Sequence, residues 1–204
     1  TLPTHLLYEV PDSIPDKYAV FTEPLAAACA IPNRVHLRPE ERVVVIGDGK
    51  LGLLVAQVLQ LTGCRLQVLG RHEKKLAILA RRGIPVTTAV EAVPGGADVV
   101  VECTGNPDGF NIARQLVRSR GKLVLKSTFH GENMINLSML VVDEISLIGS
   151  RCGPFLPALR LLEQNLVDVD SLISACYKLE EGLLAFERAV RPGVLKVLLD
   201  CGGG

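Results

Sequence analysis

Neither sign of charge is in excess in this sequence, where 22 Lys and Arg stand against 22 Asp and Glu. No global field is available to draw in nucleic acid or an anionic membrane, so recognition of an anion must be local. No apolar run reaches the roughly 18 residues of a spanning helix, and Thr1-Leu2-Pro3-Thr4 has neither the basic start nor the apolar stretch of a signal peptide. These absences point to a cytoplasmic protein with no membrane and no nucleic-acid partner. No C-x-x-C pair occurs. The six cysteines, at 29, 64, 103, 152, 176 and 201, are scattered singly, as are the histidines at 5, 36, 72 and 130. That spacing argues against a zinc site contained within the chain. Repeats of solenoid length and low-complexity stretches are also lacking, apart from Gly202-Gly203-Gly204.

From Glu41 to about Gly153, short β-branched apolar runs alternate with amphipathic stretches, the pattern of βαβ units on a parallel sheet. The run 42–46 is apolar after its first residue, as a strand buried on both faces should be, and it leads straight into Gly47. A helix over 50–62 closed by Gly63, a strand over 65–69 ending at Gly70, and a helix over 73–82 stopping at Gly83 follow. Next come a short strand near Val86, a strand over 98–102, and a helix with Asn106 as N-cap and Pro107 in its first turn. Strands over 121–127 and 145–150, a helix over 155–165, a strand over 172–179, a helix over 180–191 and a strand over 194–200 complete the pattern. The prediction is an α/β Rossmann fold over residues 40–200: a doubly wound, parallel six-stranded sheet with helices on both faces. Prolines at 3, 11, 15, 24, 32 and 39 break up residues 1–39, which read as a connecting segment with one Ala-rich helix over 23–30. Residues 201–204 read as a frayed tail.

Gly47-Asp48-Gly49-Lys50-Leu51-Gly52 matches G-x-G-x-x-G directly after a buried strand and at a helix start, where a dinucleotide loop needs it. Gly47 permits the tight turn, Gly49 lets the backbone approach a diphosphate, and Gly52 lets helix and strand pack closely. The helix start, with Lys50 and Leu51, offers unpaired amides to the phosphates. Asp48 is expected to point into solvent, because a carboxylate facing the phosphates would repel them. At the end of the second strand, where NAD binders carry an acid for the ribose hydroxyls, stands Gly70, followed by Arg71, His72 and Lys75. Without that acid and with cations nearby, the pocket points to NADP ahead of NAD. Lys74, Arg81 and Arg82 read as the solvated face of a surface helix.

Taken together, these residues resemble the medium-chain dehydrogenase/reductase family in its zinc-dependent branch of alcohol, sorbitol and threonine dehydrogenases. The resemblance rests on Glu23-Pro24-Leu25-Ala26, the 47–52 loop, Glu102-Cys103-Thr104-Gly105, Gly149-Ser150-Arg151, and Glu187-Arg188-Ala189 followed by Leu195-Lys196-Val197. It implies that Cys103, Thr104 and Gly105 line the cofactor cleft, that Ser127 and Thr128 lie near the nicotinamide, and that Ser150 and Arg151 approach it from the sixth strand. Lys196 would reach the diphosphate, or else serve only as a strand-edge lysine. Glu23 resembles a glutamate that approaches the catalytic zinc, or else is a first-turn residue favoured by the helix dipole. The zinc ligands themselves would belong to a catalytic domain that these 204 residues do not contain, so no metal ligand is assigned here.

The expected activity is hydride transfer between NAD(P) and an alcohol or carbonyl substrate, with this chain holding the cofactor and, alone, turning over little. The alternative is a non-catalytic dinucleotide-sensing or dimerisation module. The resemblance also implies a homodimer formed through the edge strand 145–150.

Overall fold

The computed structural model describes residues 3–128 and 135–202, so His130 and the last two glycines of the expected tail lie outside the described residues. Eight strands and eight α-helices are present among them. Strands β1 (Arg42–Ile46), β2 (Arg65–Leu69), β3 (Val86–Thr87), β4 (Ala97–Glu102), β5 (Val117–Leu125) and β6 (Ser146–Gly149) form one sheet in the order β3-β2-β1-β4-β5-β6, every pair parallel. This is the predicted doubly wound sheet, and the order reverses beside β1.

Period two along each strand divides its side chains between two cores. Val43 and Val45 of β1, with Val99 and Val101 of β4, face a cluster that contains Leu53, Val55 and Leu59 of α3 (Lys50–Gln60) and Leu76 and Leu79 of α4 (Glu73–Ala80). Val44, Ile46 and Val100 face the opposite cluster, with Phe110, Ala113 and Leu116 of α5 (Pro107–Leu116) and Leu140 of α6 (Leu137–Val142). Burying one such aliphatic side chain stabilises by about 1.5–3 kcal/mol, so these two layers hold the sheet between them.

The N-terminal segment is more structured than its prolines suggest. After a single turn, α1 (Asp16–Ala19), the chain forms α2 (Thr22–Arg34), four residues longer at its C-terminal end than expected and containing Pro32. Leu25, Ala26, Ala28 and Ile31 are buried in the same core as α3 and α7 (Phe155–Glu163), and this packing outweighs the hydrogen bond that Pro32 removes. A Cβ on Gly153 would overlap the Ala26 carbonyl, so the Ala-rich helix is approached closely by the backbone at Gly153.

Two further strands, β7 (Ile173–Lys178) and β8 (Lys196–Asp200), pair only with each other, in parallel, across helix α8 (Gly182–Ala189). Alternate residues of β7 are half-buried and exposed, and Leu183 and Phe186 of α8, with its C-cap Val190, stand at 83%, 70% and 83% exposure. Helix α6 was not foreseen, and β5 begins four residues earlier than expected, with a register break between Ala97 and Val99. Among the described residues, no helix is long and apolar enough to cross a membrane.

Candidate functional site

At the carboxyl ends of β1, β2 and β4, between α3 and α5, lies a cavity of about 520 Å3. Gly47, Gly49, Gly70, Arg71, His72, Lys75 and Thr104, all singled out from the sequence, line it. Gly47 adopts φ +120°, and a Cβ there would stand 2.7 Å from the Cys103 carbonyl oxygen, so β1 can turn beside β4 only through glycine. Its amide donates to the Leu69 carbonyl at 2.8 Å, which ties the loop to the end of β2. Gly49 is the N-cap of α3 and has open space on the side where a Cβ would project, leaving the first-turn amides of Lys50 and Leu51 approachable. Gly52, by contrast, is buried against the loop, where its missing side chain is filled by the Gly47 carbonyl.

Asp48 departs from expectation. It is buried rather than solvated, and its Oδ2 accepts the backbone N–H groups of Arg71 and His72, both at 2.6 Å. The imidazole Nδ1 of His72 lies 3.0 Å from the same oxygen. The carboxylate turns towards β2, where Gly70 makes room: a Cβ at residue 70 would come within 2.7 Å of the Asp48 Cβ. Burial pushes the Asp48 carboxyl up, but the His72 and Arg71 amides and the imidazole more than offset it, and the group titrates below its ordinary range.

Across the cleft, Glu102 is a second buried acid that sequence reasoning missed. Its Oε1 accepts both the amide and the hydroxyl of Thr104 at 2.6 Å, so Thr104 is held in one orientation. Gly105, at φ +68°, donates its amide to Ser127 Oγ at 2.7 Å, joining the ends of β4 and β5. Burial pushes the Cys103 thiol up, with Glu102 adding to the effect, so Cys103 contributes backbone geometry to the cleft and no thiolate. Thr128 follows Ser127 as an exposed residue.

Lys126, also unforeseen, is buried between Leu125 and Ser127. Its Nζ donates to the carbonyls of Ala27 (2.8 Å) and Arg151 (2.9 Å), with Ser150 Oγ at 3.4 Å. The ammonium thereby links β5, the segment after β6 and α2, while burial draws its pKa down from 10.5. Ser150 is buried and Arg151 exposed beside it. Lys196, at the start of β8, has its Nζ 5.3 Å from the centre of the Phe21 ring. Burial lowers its pKa, and the positive charge of Lys50 lowers it further, whereas Glu23 acts in the opposite sense. Two cations, Lys50 and Lys196, therefore share the neighbourhood of the α3 start. Glu23 is exposed in the first turn of α2. Among the described residues, no three His, Cys, Asp or Glu side chains converge to hold a metal ion.

The sequence profile of the zinc-binding dehydrogenases matches residues 51–164, more than half of the chain. The chain belongs to this family. Sorbitol dehydrogenase of Halalkalibacterium halodurans is 28% identical over 95% of this chain and 61% of its own length. The 2-dehydro-3-deoxy-L-galactonate 5-dehydrogenase of Pseudoalteromonas atlantica is 26% identical over 98% of the chain and 63% of its own. The chain thus spans about three fifths of the family members it matches. An Escherichia coli alcohol dehydrogenase crystallised with NADH superposes with a TM-score of 0.86 at 20% identity, covering 97% of this chain and 63% of that one. A zinc-binding dehydrogenase from Sinorhizobium meliloti crystallised with NADP gives a TM-score of 0.86 at 24% identity, with the same coverage. These likenesses establish the fold.

Proposed function

We propose that this chain holds NADP, in preference to NAD, for hydride exchange with a small alcohol or carbonyl substrate of the polyol class. The observation that carries the reading is the 47–52 loop. It is glycine-shaped on the sides that meet β4 and α3, open at Gly49, and placed at the point where the strand order reverses. The residues fit a dinucleotide. The α3 start with Lys50 and Lys196 suits a diphosphate, Arg71, His72 and Lys75 suit an adenosine 2′-phosphate, and Thr104 on the cavity wall, with Ser127 and Ser150 at the ends of the next two strands, would serve the nicotinamide end. A bound nicotinamide supplies the hydride chemistry. The protein's part is to orient the dinucleotide along the carboxyl edge of the sheet through these amides, cations and hydroxyls. Zinc has no fitting ligand set among the described residues, so no role here is derived through it. The naming of the sorbitol and galactonate dehydrogenases above supports the substrate class.

The same reading includes a homodimer through the β6 edge, where the sheet ends and Leu147 is exposed. It also includes a cytoplasmic location, which six free cysteines suit. Fluorescence titration of the chain with NADPH and NADH tests the function directly. Binding of NADPH in the micromolar range, tighter than NADH, is expected, and absence of micromolar binding to either removes the reading.

A further inference from the structure

Asp48 is a buried acid on the wall of the cleft to which dinucleotide binding gives no direct task. Two chemistries are open to a carboxylate at this place: accepting the adenosine ribose hydroxyls, or holding other protein groups. The geometry decides between them. A ribose hydroxyl needs an open lone pair, whereas the Asp48 side chain is 9% exposed and its Oδ2 already takes two amides, with the His72 ring on both oxygens. The groups it holds are the two residues that enter α4. His72 is the N-cap of that helix and Lys75 lies in its first turn. The Arg71 and Lys75 side chains line the cavity, and among the described residues neither pairs with a carboxylate. The Asp48 charge is thus surrounded by donors, while two cations remain available to an incoming anion.

We infer that Asp48 is a positioning residue for cofactor selection: from the glycine loop it clasps the backbone of Arg71 and His72 and so sets Arg71, His72 and Lys75 around the 2′-phosphate of NADP. Gly70 is the complement of this device, because any side chain there would push the clasp open. The inference rests on the dinucleotide reading above. It separates the function of the two acids that could stand at this corner. One on β2 addresses the ribose hydroxyls, and one on the loop organises the phosphate site instead.

The test is a set of fluorescence titrations of the 204-residue chain and its variants with NADPH and NADH. Asp48→Ala should weaken NADPH about tenfold and NADH by less than about twofold, since only the 2′-phosphate uses the clasped residues. Asp48→Asn, which keeps an oxygen for both amides, should restore most of the loss and guards against a variant that merely fails to fold. Because Asp48 acts through Arg71 and its neighbours, adding Asp48→Ala to Arg71→Ala should cost clearly less than Asp48→Ala costs alone. Equal weakening of both dinucleotides by Asp48→Ala, or tighter NADPH binding, overturns the inference and leaves dinucleotide binding intact. A parent chain that binds neither overturns both.

Discussion

Gly52 packs so tightly against Gly47 that the Gly47 carbonyl oxygen fills the space a Gly52 side chain would need. Gly52→Ala should therefore push α3 away from β1, costing about 1–3 kcal/mol as overpacking commonly does. Gly49→Ala meets nothing within 4 Å and should change stability by less than about 1 kcal/mol, the scale of an N-cap glycine-to-alanine change. Both should lose dinucleotide affinity. Urea denaturation alongside NADPH titration separates them, and equal destabilisation by the two would contradict the packing described.

An acid placed at the end of β2 is the obvious means of turning the pocket towards NADH, but here it cannot be introduced alone. In Gly70→Asp the new Cβ would crowd the Asp48 Cβ at 2.7 Å and its Oδ2 at 2.8 Å, so Tm should fall. The exchange Asp48→Gly with Gly70→Asp removes the crowding and moves the carboxylate to the strand, where it can address the ribose hydroxyls. The double variant should regain stability over Gly70→Asp and bind NADH more tightly than NADPH. A double variant no more stable than Gly70→Asp would contradict the crowding.

Lys126 makes stability depend on alkaline pH. Its folded pKa lies below the ordinary 10.5 because burial disfavours the charged form. Between the lowered value and 10.5 the unfolded chain binds more protons than the folded one, so stability rises with pH through that window. Measured against Lys126→Met at a series of pH values just below 10.5, the parent chain should gain stability relative to the variant as pH increases. A constant difference would show that the ammonium is not desolvated.

The free edge of β6 gives a prediction about assembly. Leu147→Lys places a charge on a strand that is the sheet's edge among the described residues and presents an exposed apolar residue there, the usual device against edge pairing. Size-exclusion chromatography with light scattering should show a dimer for the parent and a monomer for the variant. A monomeric parent would remove the edge-pairing proposal.

Where local chemistry decided the structure, the sequence was legible. Strand β1 is uniformly apolar between a polar start and a glycine, and the glycine loop that follows has its spacing dictated by contacts within 60 residues. The start of β5 was not, because Arg118-Ser119-Arg120 carries no apolar alternation and is held by pairing Val117 with Ala97 before the register shifts. Helix α6 is apolar at most positions yet buries only Leu140, so its sequence shows neither a clear period of 3.6 nor one of two. Within the cleft, glycines and Thr104 could be read from their order. Asp48 and Lys126 could not, since what defines them is the direction one side chain takes, towards the Arg71 and His72 amides in the first case and the Ala27 and Arg151 carbonyls in the second, and no residue spacing encodes that. An acid in the loop and a glycine at the end of β2 are both plain in the sequence, but that the one needs the other follows only from the crowding a Cβ at residue 70 would cause.

The bare ridge on α8 has a practical result. Leu183, Phe186 and Val190 stand one and two turns apart on one exposed stripe, and the chain as a whole carries zero formal charge at pH 7. Molecules with a sticky stripe and no mutual repulsion associate most readily when their charge vanishes. Near neutrality, cloudiness should therefore set in at lower protein concentration than in mildly alkaline buffer, well before any loss of native structure.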